Sequence, residues 1–218
     1  MPDNPQRVGW INDAGYGAVQ LLGTSGQNTA QWPNASINNY GSLMVATEGT
    51  KPTFSAVSLG LAPAASATDI FQITAGAKTV RVGLVTISGV AGTAVNAVMT
   101  LWRRPTATTG GTLATGNALP AAANHDAVFN PAASVTLSAW TANPTVTATG
   151  AQLIRTDYLM LPVAAATAVA GNPRIVWDFT TRNGQGLVLR PGISACINAN
   201  GASISSGLLH INIEWTEE

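Results

Sequence analysis

The nine residues Gly207–Trp215, GLLHINIEW, constrain the fold more than any other stretch. Leu209, Ile211, Ile213 and Trp215 fall on one parity, and His210, Asn212 and Glu214 on the other. Side chains alternate across a β-strand, so this pattern specifies a strand with one buried face and one wetter face. Such a strand must lay its apolar row on another layer, which sets the remaining chain the task of supplying a facing sheet.

Segments that can do so recur along the chain. Phe54–Leu61, Thr68–Thr74, Lys78–Ser88, Ala94–Arg103, Ser134–Trp140, Thr145–Thr149, Ala151–Leu161 and Ile193–Asn198 are rich in β-favouring residues. In Thr68–Thr74 the adjacent Ile70 and Phe71 break the alternation. In Lys78–Ser88 the apolar parity switches between Val80-Val82-Leu84 and Val85-Ile87, which predicts a bulge near Gly83–Val85 or burial on both faces. Lys78–Ser88 and Ala94–Arg103 are expected to pair antiparallel across Gly89–Thr93. Arg174–Arg190 is expected to form a hairpin, because Ile175, Val176, Trp177 and Phe179 precede an Asn183-Gly184 turn signal and Leu187-Val188-Leu189 follows it. Its Trp and aliphatics are expected in the core.

The connections carry less regular sequence. Ala62–Ala67 is a short link marked by Pro63, and Asn143-Pro144 marks a turn. Arg104–Ala133 is long and irregular, with room for a helical turn at Ala118–Ala123; a section of that length is usually functional or pinned by a partner. Pro162–Pro173 is an alanine-rich connector with room for one helical turn. Together these features predict an all-β, antiparallel β-sandwich of roughly eight to ten strands, jelly-roll-like, spanning residues 53–218.

Residues 1–52 read differently. This polar segment is an extended N-terminal arm with short strand-like pieces at Ala18–Leu22 and Leu43–Ala46. Trp10, Tyr16, Trp32 and Tyr40 stand singly among polar residues; they are the candidate interface anchors, the alternative being that they fold back on their own domain. Charged residues make up only 9% of the 218-residue chain, so its polar surface is built from Thr, Ser, Asn, Gln and Gly. That composition suits a molecule whose faces are covered by neighbours and, equally, a Thr/Asn-rich secreted or viral β-protein. Formal net charge is zero, and Arg103-Arg104 is the one adjacent basic pair, so no nucleic-acid partner is expected. The first residues lack the charged and apolar regions of a signal peptide, and no apolar run is long enough to span a membrane, so no membrane partner is expected.

Catalytic and cofactor chemistry has little to work with. A nucleophilic triad needs a His between a carboxylate and an activated Ser or Cys. His125 and His210 are the two histidines, and no nucleophile-elbow motif surrounds Ser25 or Ser88. His125-Asp126, after Asn124, is the one local polar cluster that invites a metal or acid–base role, and a structural role outweighs it. A zinc site needs more Cys and His than are present, and the single Cys196 reads as a small buried hydrophobe. Six aspartates are scattered without a calcium-loop pattern. Asp157, Asp178 and Glu214 lie on expected strands and are the carboxylates that could converge for glycoside hydrolysis. Trp102, Trp140 and Trp215 are the tryptophans a sugar-binding face would use, with core packing the commoner fate. The residues therefore assign no catalytic, cofactor-binding or metal site, and no cofactor.

Val176-Trp177-Asp178-Phe179, Arg182-Asn183-Gly184-Gln185-Gly186-Leu187-Val188-Leu189-Arg190 and the closing Ile213-Glu214-Trp215-Thr216-Glu217 resemble the small virion structural proteins of tailed bacteriophages. Leu101-Trp102-Arg103-Arg104, followed by a Thr/Gly-rich loop, is similar to them as well. The resemblance implies a non-enzymatic β-sandwich that decorates and stabilises the capsid, a cement protein, or else a tail-associated adaptor or fibre component. It implies the major capsid protein or other virion proteins as partners, a homo-oligomer with the trimer favoured, and a place in the virion after assembly in the host cytoplasm. A carbohydrate- or host-receptor-binding module is the alternative from another class.

Overall fold

The computed structural model describes residues 36–37, 43–44, 51–126, 131–146, 148–164, 173–180, 186–204 and 206–218. The chain divides into two units, Met1–Thr50 and Lys51–Glu218. In the first, β1 (Ser36–Ile37) and β2 (Leu43–Met44) pair antiparallel, with Ser36 opposite Met44. Trp10, Tyr16, Trp32, Tyr40 and the Ala18–Leu22 segment lie outside the described residues.

The second unit is an antiparallel β-sandwich. Its strands are β3 (Thr53–Leu61), β4 (Ala67–Thr74), β5 (Val80–Val90), β6 (Val95–Arg104), β7 (Thr112–Leu113), β8 (Ala122–Asn124), β9 (Thr136–Ala142), β10 (Gln152–Leu161), β11 (Arg174–Asp178), β12 (Leu187–Leu189), β13 (Ser194–Ala202) and β14 (Leu208–Glu217). One sheet has the order β10-β6-β13-β4-β9-β7. The other has the order β11-β5-β14-β3-β8, with β12 also on β5. From β3 to β6, and again from β12 to β14, successive strands alternate between the sheets.

The inner faces meet in one hydrophobic core. Phe54, Val85, Ile87, Ile175, Trp177, Ile211, Ile213 and Trp215 come from one sheet, and Phe71, Ile73, Met99, Leu101, Leu159, Leu161 and Ile197 from the other. Each fully buried aliphatic side chain is worth about 1.5–3 kcal/mol relative to exposure. Trp215 and Phe54 are opposite each other on β14 and β3, and their rings stack at 5.6 Å. The alternation in Gly207–Trp215 is realised as read: Leu209, Ile211, Ile213 and Trp215 are buried, and His210, Asn212 and Glu214 are partly exposed.

Two bulges explain the imperfect patterns. On β5, Glu214 pairs with Leu84 but Trp215 pairs with Val82, so Gly83 is the extra residue where the buried parity changes. On β4, Ile197 pairs with Phe71 and Asn198 with Asp69, leaving Ile70 as the extra residue. That bulge is why adjacent Ile70 and Phe71 are both buried.

Four local expectations are corrected. β5 and β6 do not pair; β5 lies between β11 and β14, and β6 between β10 and β13, in opposite sheets. Arg174–Arg190 is not a hairpin. β11 pairs with Leu84–Ser88 and β12 with Val80–Val82, so the two run end to end along β5 as one interrupted edge strand. The interruption falls at the Gly83 bulge, whose carbonyl accepts the Phe179 N–H at 2.8 Å; Asn183-Gly184 lies outside the described residues. Trp177 and Ile175 are nevertheless buried, as expected. The described residues of Thr145–Thr149, expected as a strand, supply a bridge from Thr145 to Thr109. Ala118–Ala123 splits between a 3-10 turn at Gly116–Ala118 and β8. Most of the Pro162–Pro173 connector lies outside the described residues.

Candidate functional site

The outer face of the β6-β13-β4 sheet carries a polar cluster that the chain has covered. The β4 bulge brings Asp69 to this face beside Asn198, and Gln72 pairs with Cys196, which pairs in turn with Trp102. The Asp69 carboxylate accepts hydrogen bonds from Arg104 Nη2 at 2.8 Å, Thr108 Oγ1 at 2.7 Å and Asn198 Nδ2 at 2.7 Å. Gln72 Oε1 accepts the Thr108 N–H at 2.7 Å and the Cys196 thiol at 3.3 Å. Asp69, Gln72, Arg104, Thr108 and Cys196 are all buried. A buried ion pair is tolerated only when its remaining hydrogen-bonding capacity is met, and this network does that for both Asp69 oxygens.

The cover is the start of the long irregular section. Thr108 descends into the cluster, Thr109 bridges to Thr145, and Gly110 and Gly111 take left-handed φ of 76° and 71° to turn the chain back. Asn143 closes the far side, accepting the Thr68 N–H at 3.0 Å and donating to the Ser66 carbonyl at 3.1 Å. Burial pushes the Cys196 thiol up to about 12, and the Asp69 charge adds to the rise. The thiol is thus held protonated and is unsuited to act as a nucleophile.

Beside this cluster lies an open cavity of about 310 Å³. Trp102, Arg104, Asn198 and Asn200 form its polar and aromatic wall, and Val146, Ala148 and Ala151 its apolar one. Trp102 donates its indole N–H to Thr100 Oγ1 at 3.0 Å, and the Arg104 guanidinium lies 5.6 Å from its ring centroid. Because Arg104 is ion-paired with Asp69, the cavity has little net charge to offer and suits a small neutral polar group.

A second exposed feature is β10. It is the outermost strand of its sheet, and Tyr158, Met160 and Leu153 on it are 72%, 58% and 50% exposed. Arg155, Thr156 and Asp157 are exposed as well. The outer face of the other sheet also shows apolar side chains, with Val57, Leu59, Val176 and Leu208 all about half exposed.

The residues singled out for chemistry are dispersed. His125 and Asp126 are exposed on a turn in which Asn124 Oδ1 accepts the Asp126 N–H and the His125 N–H donates to the Thr53 carbonyl. His210 accepts the Gly60 N–H on Nδ1 at 3.1 Å, next to a register shift in the β14–β3 pairing. Asp178 and Glu214 lie in one sheet on either side of Leu84, whereas Asp157 is on β10 in the other. The Asp178 carboxylate is engaged by Thr180 through N–H and Oγ1, at 2.7 and 2.6 Å. Trp140 and Trp215 are buried in the fold, leaving Trp102 as the one of the three that reaches a cavity. Among the described residues no three His, Cys, Asp or Glu side chains group as a metal would need.

The Asp69–Arg104 cluster was not foreseen from the residues. Its one sequence sign is a carboxylate next to the adjacent apolar pair Ile70-Phe71 in TDIFQIT, which demands a partner wherever it is buried. Comparison with known protein families, with characterised proteins and with solved structures finds no match to this chain.

Proposed function

We propose that this protein is a non-enzymatic structural subunit of a tailed-bacteriophage virion, a cement-type protein that decorates the capsid and stabilises it through subunit–subunit contacts. The observation that carries the reading is the β10 edge, where Tyr158, Met160 and Leu153 stand exposed along a strand with no hydrogen-bonded strand on its outer side among the described residues. Exposed apolar and aromatic side chains beside free backbone groups are what an assembling subunit offers to the next chain. The scarcity of charge across the chain supports the same reading. In this role Trp10, Tyr16, Trp32 and Tyr40 are the anchors by which the N-terminal segment engages neighbouring virion proteins.

Quantitative mass spectrometry of purified virions tests the proposal. Copies in proportion to the capsid lattice are expected. A few copies per particle would move the protein to a tail adaptor or fibre, and absence from particles would overturn the structural role. The cavity beside Trp102 favours one second reading, a carbohydrate- or receptor-binding module, since an indole next to two asparagines can hold a sugar ring. Glycan-array binding that is lost in Trp102→Ala would support it.

A further inference from the structure

The β10 edge carries a pattern that points to its occupant. Its residues read Gln152-Leu153-Ile154-Arg155-Thr156-Asp157-Tyr158-Leu159-Met160-Leu161. Arg155 and Asp157 stand at equal distances on either side of Thr156, with opposite charge and on the same parity. On the inner side they pair with Leu101 and Met99 of β6, at the margin where the two sheets part. The Arg155 guanidinium rests 5.3 Å from the Phe179 ring centroid. Neither charge enters an ion pair among the described residues.

We infer that a second copy of this chain adds to the β10 edge, antiparallel, about a two-fold axis through Thr156. In an isologous contact residue i meets j and j meets i. With the axis at Thr156, Arg155 faces Asp157 of the second copy, and Asp157 faces its Arg155. Opposite charges directly across an antiparallel pair are stabilising, and like charges destabilising. Moving the axis to Arg155 sets two arginines face to face, and moving it to Asp157 sets two carboxylates face to face. Moving it to Tyr158 puts Asp157 against Leu159 and Arg155 against Leu161. Among these neighbouring registers, only the Thr156-centred one matches both charges.

The backbone is ready for this pairing. The Tyr158 N–H donates to the Asp157 side chain at 2.8 Å, so it points away from β6. Backbone groups alternate between the two edges of a strand, which turns the Thr156 N–H and C=O outward too. Two Thr156 residues can then exchange both hydrogen bonds at the axis, once Asp157 releases Tyr158 to meet its arginine. On β10 itself the ladder to β6 is bulged at Ile154, between Leu153 opposite Trp102 and Arg155 opposite Leu101, so the regular part of the edge is Arg155–Leu161 and the contact centres on the Arg155–Asp157 pair. Charges on an edge strand commonly deter pairing. Here their signs are arranged so that a second copy, antiparallel and in one register, is attracted. The inference is independent of whether the protein is found in virions.

Sedimentation equilibrium of the full chain over a concentration series provides the test. An assembly with an even number of subunits is expected, because an isologous contact uses β10 edges in pairs. Arg155→Asp and Asp157→Arg each place like charges across the axis and are expected to halve the mass. The double variant R155D/D157R restores opposite charges and is expected to recover the wild-type mass. Both side chains are exposed, and near-UV circular dichroism checks that each variant keeps its tertiary packing. A wild-type monomer, a closed trimer, single variants that assemble like wild type, or a double variant that stays dissociated would each overturn the inference.

Discussion

At the scale of single residues, the buried polar cluster decides most. Asp69 is the acceptor for Arg104, Thr108 and Asn198, and removing it leaves a guanidinium buried without its counter-charge. Asp69→Ala is therefore expected to destabilise the fold by about 3–5 kcal/mol, read from urea unfolding midpoints. Replacing Asp69 and Arg104 together by Leu and Met should cost much less, because no unpaired charge remains. Cys196 gives a pH prediction. Its thiol rises from an ordinary 9.0 to about 12 on folding, so the folded state binds that proton more tightly than the unfolded chain does. Its contribution to stability is complete below about 9 and is lost as pH rises towards 12. Unfolding followed from neutral to alkaline pH should show that loss, and Cys196→Ala should lack it. In the native protein at neutral pH a thiol reagent should label Cys196 only through opening of the fold.

Elements respond to constraints that no single residue shows. The cover over the cluster turns at Gly111, where an added Cβ would lie 2.6 Å from the Ala142 carbonyl oxygen in a left-handed backbone. Gly111→Ala should cost about 1–3 kcal/mol and speed the labelling of Cys196 by lifting the cover. Gly116→Ala is the control: its φ is +59° but its Cβ would meet nothing, so strain alone remains and Cys196 stays protected. The end of β14 is clasped in another way. The Glu218 backbone exchanges hydrogen bonds with Thr79, its carboxylate takes Arg81 at 2.8 and 3.1 Å, and Lys51 joins the same carboxylate. The hydrogen bond from Arg81, then that from Lys51, holds the carboxyl near 2, below its ordinary 4.5. The clasp therefore adds stability above about 4.5 and loses it as pH falls through about 2. Acid unfolding of Glu218→Gln should start from lower stability and show a shallower fall across that window.

At the scale of the molecule, the Lys51–Glu218 unit closes its own core and its own ladders among the described residues. A chain beginning at Lys51 is expected to unfold in one cooperative transition by circular dichroism, since that unit contains a continuous buried core among the described residues. If a second copy adds to the β10 edge, the charge pair about Thr156 is the device that selects it.

The residues by themselves determined the all-β class, the buried row of Gly207–Trp215 and the break in parity on β5, which pairing with β14 resolves as a bulge. Those follow from period and parity, which act over a few neighbouring positions. Which strands pair was decided only by the tertiary structure. Lys78–Ser88 and Ala94–Arg103 read as a hairpin because a short turn-rich link joins them, yet they lie in opposite sheets, since each buries an apolar row on the same core from opposite sides. Asn183-Gly184 read as a hairpin turn for the same local reason, and the strands beside it run end to end because β5 offered both of them one free edge. The Asp69 cluster was equally illegible, because its members come from β4, β6, β13 and the loop after β6. Hydrogen bonds between residues as far apart as Asp69 and Asn198 exist only once the sheet has brought them side by side.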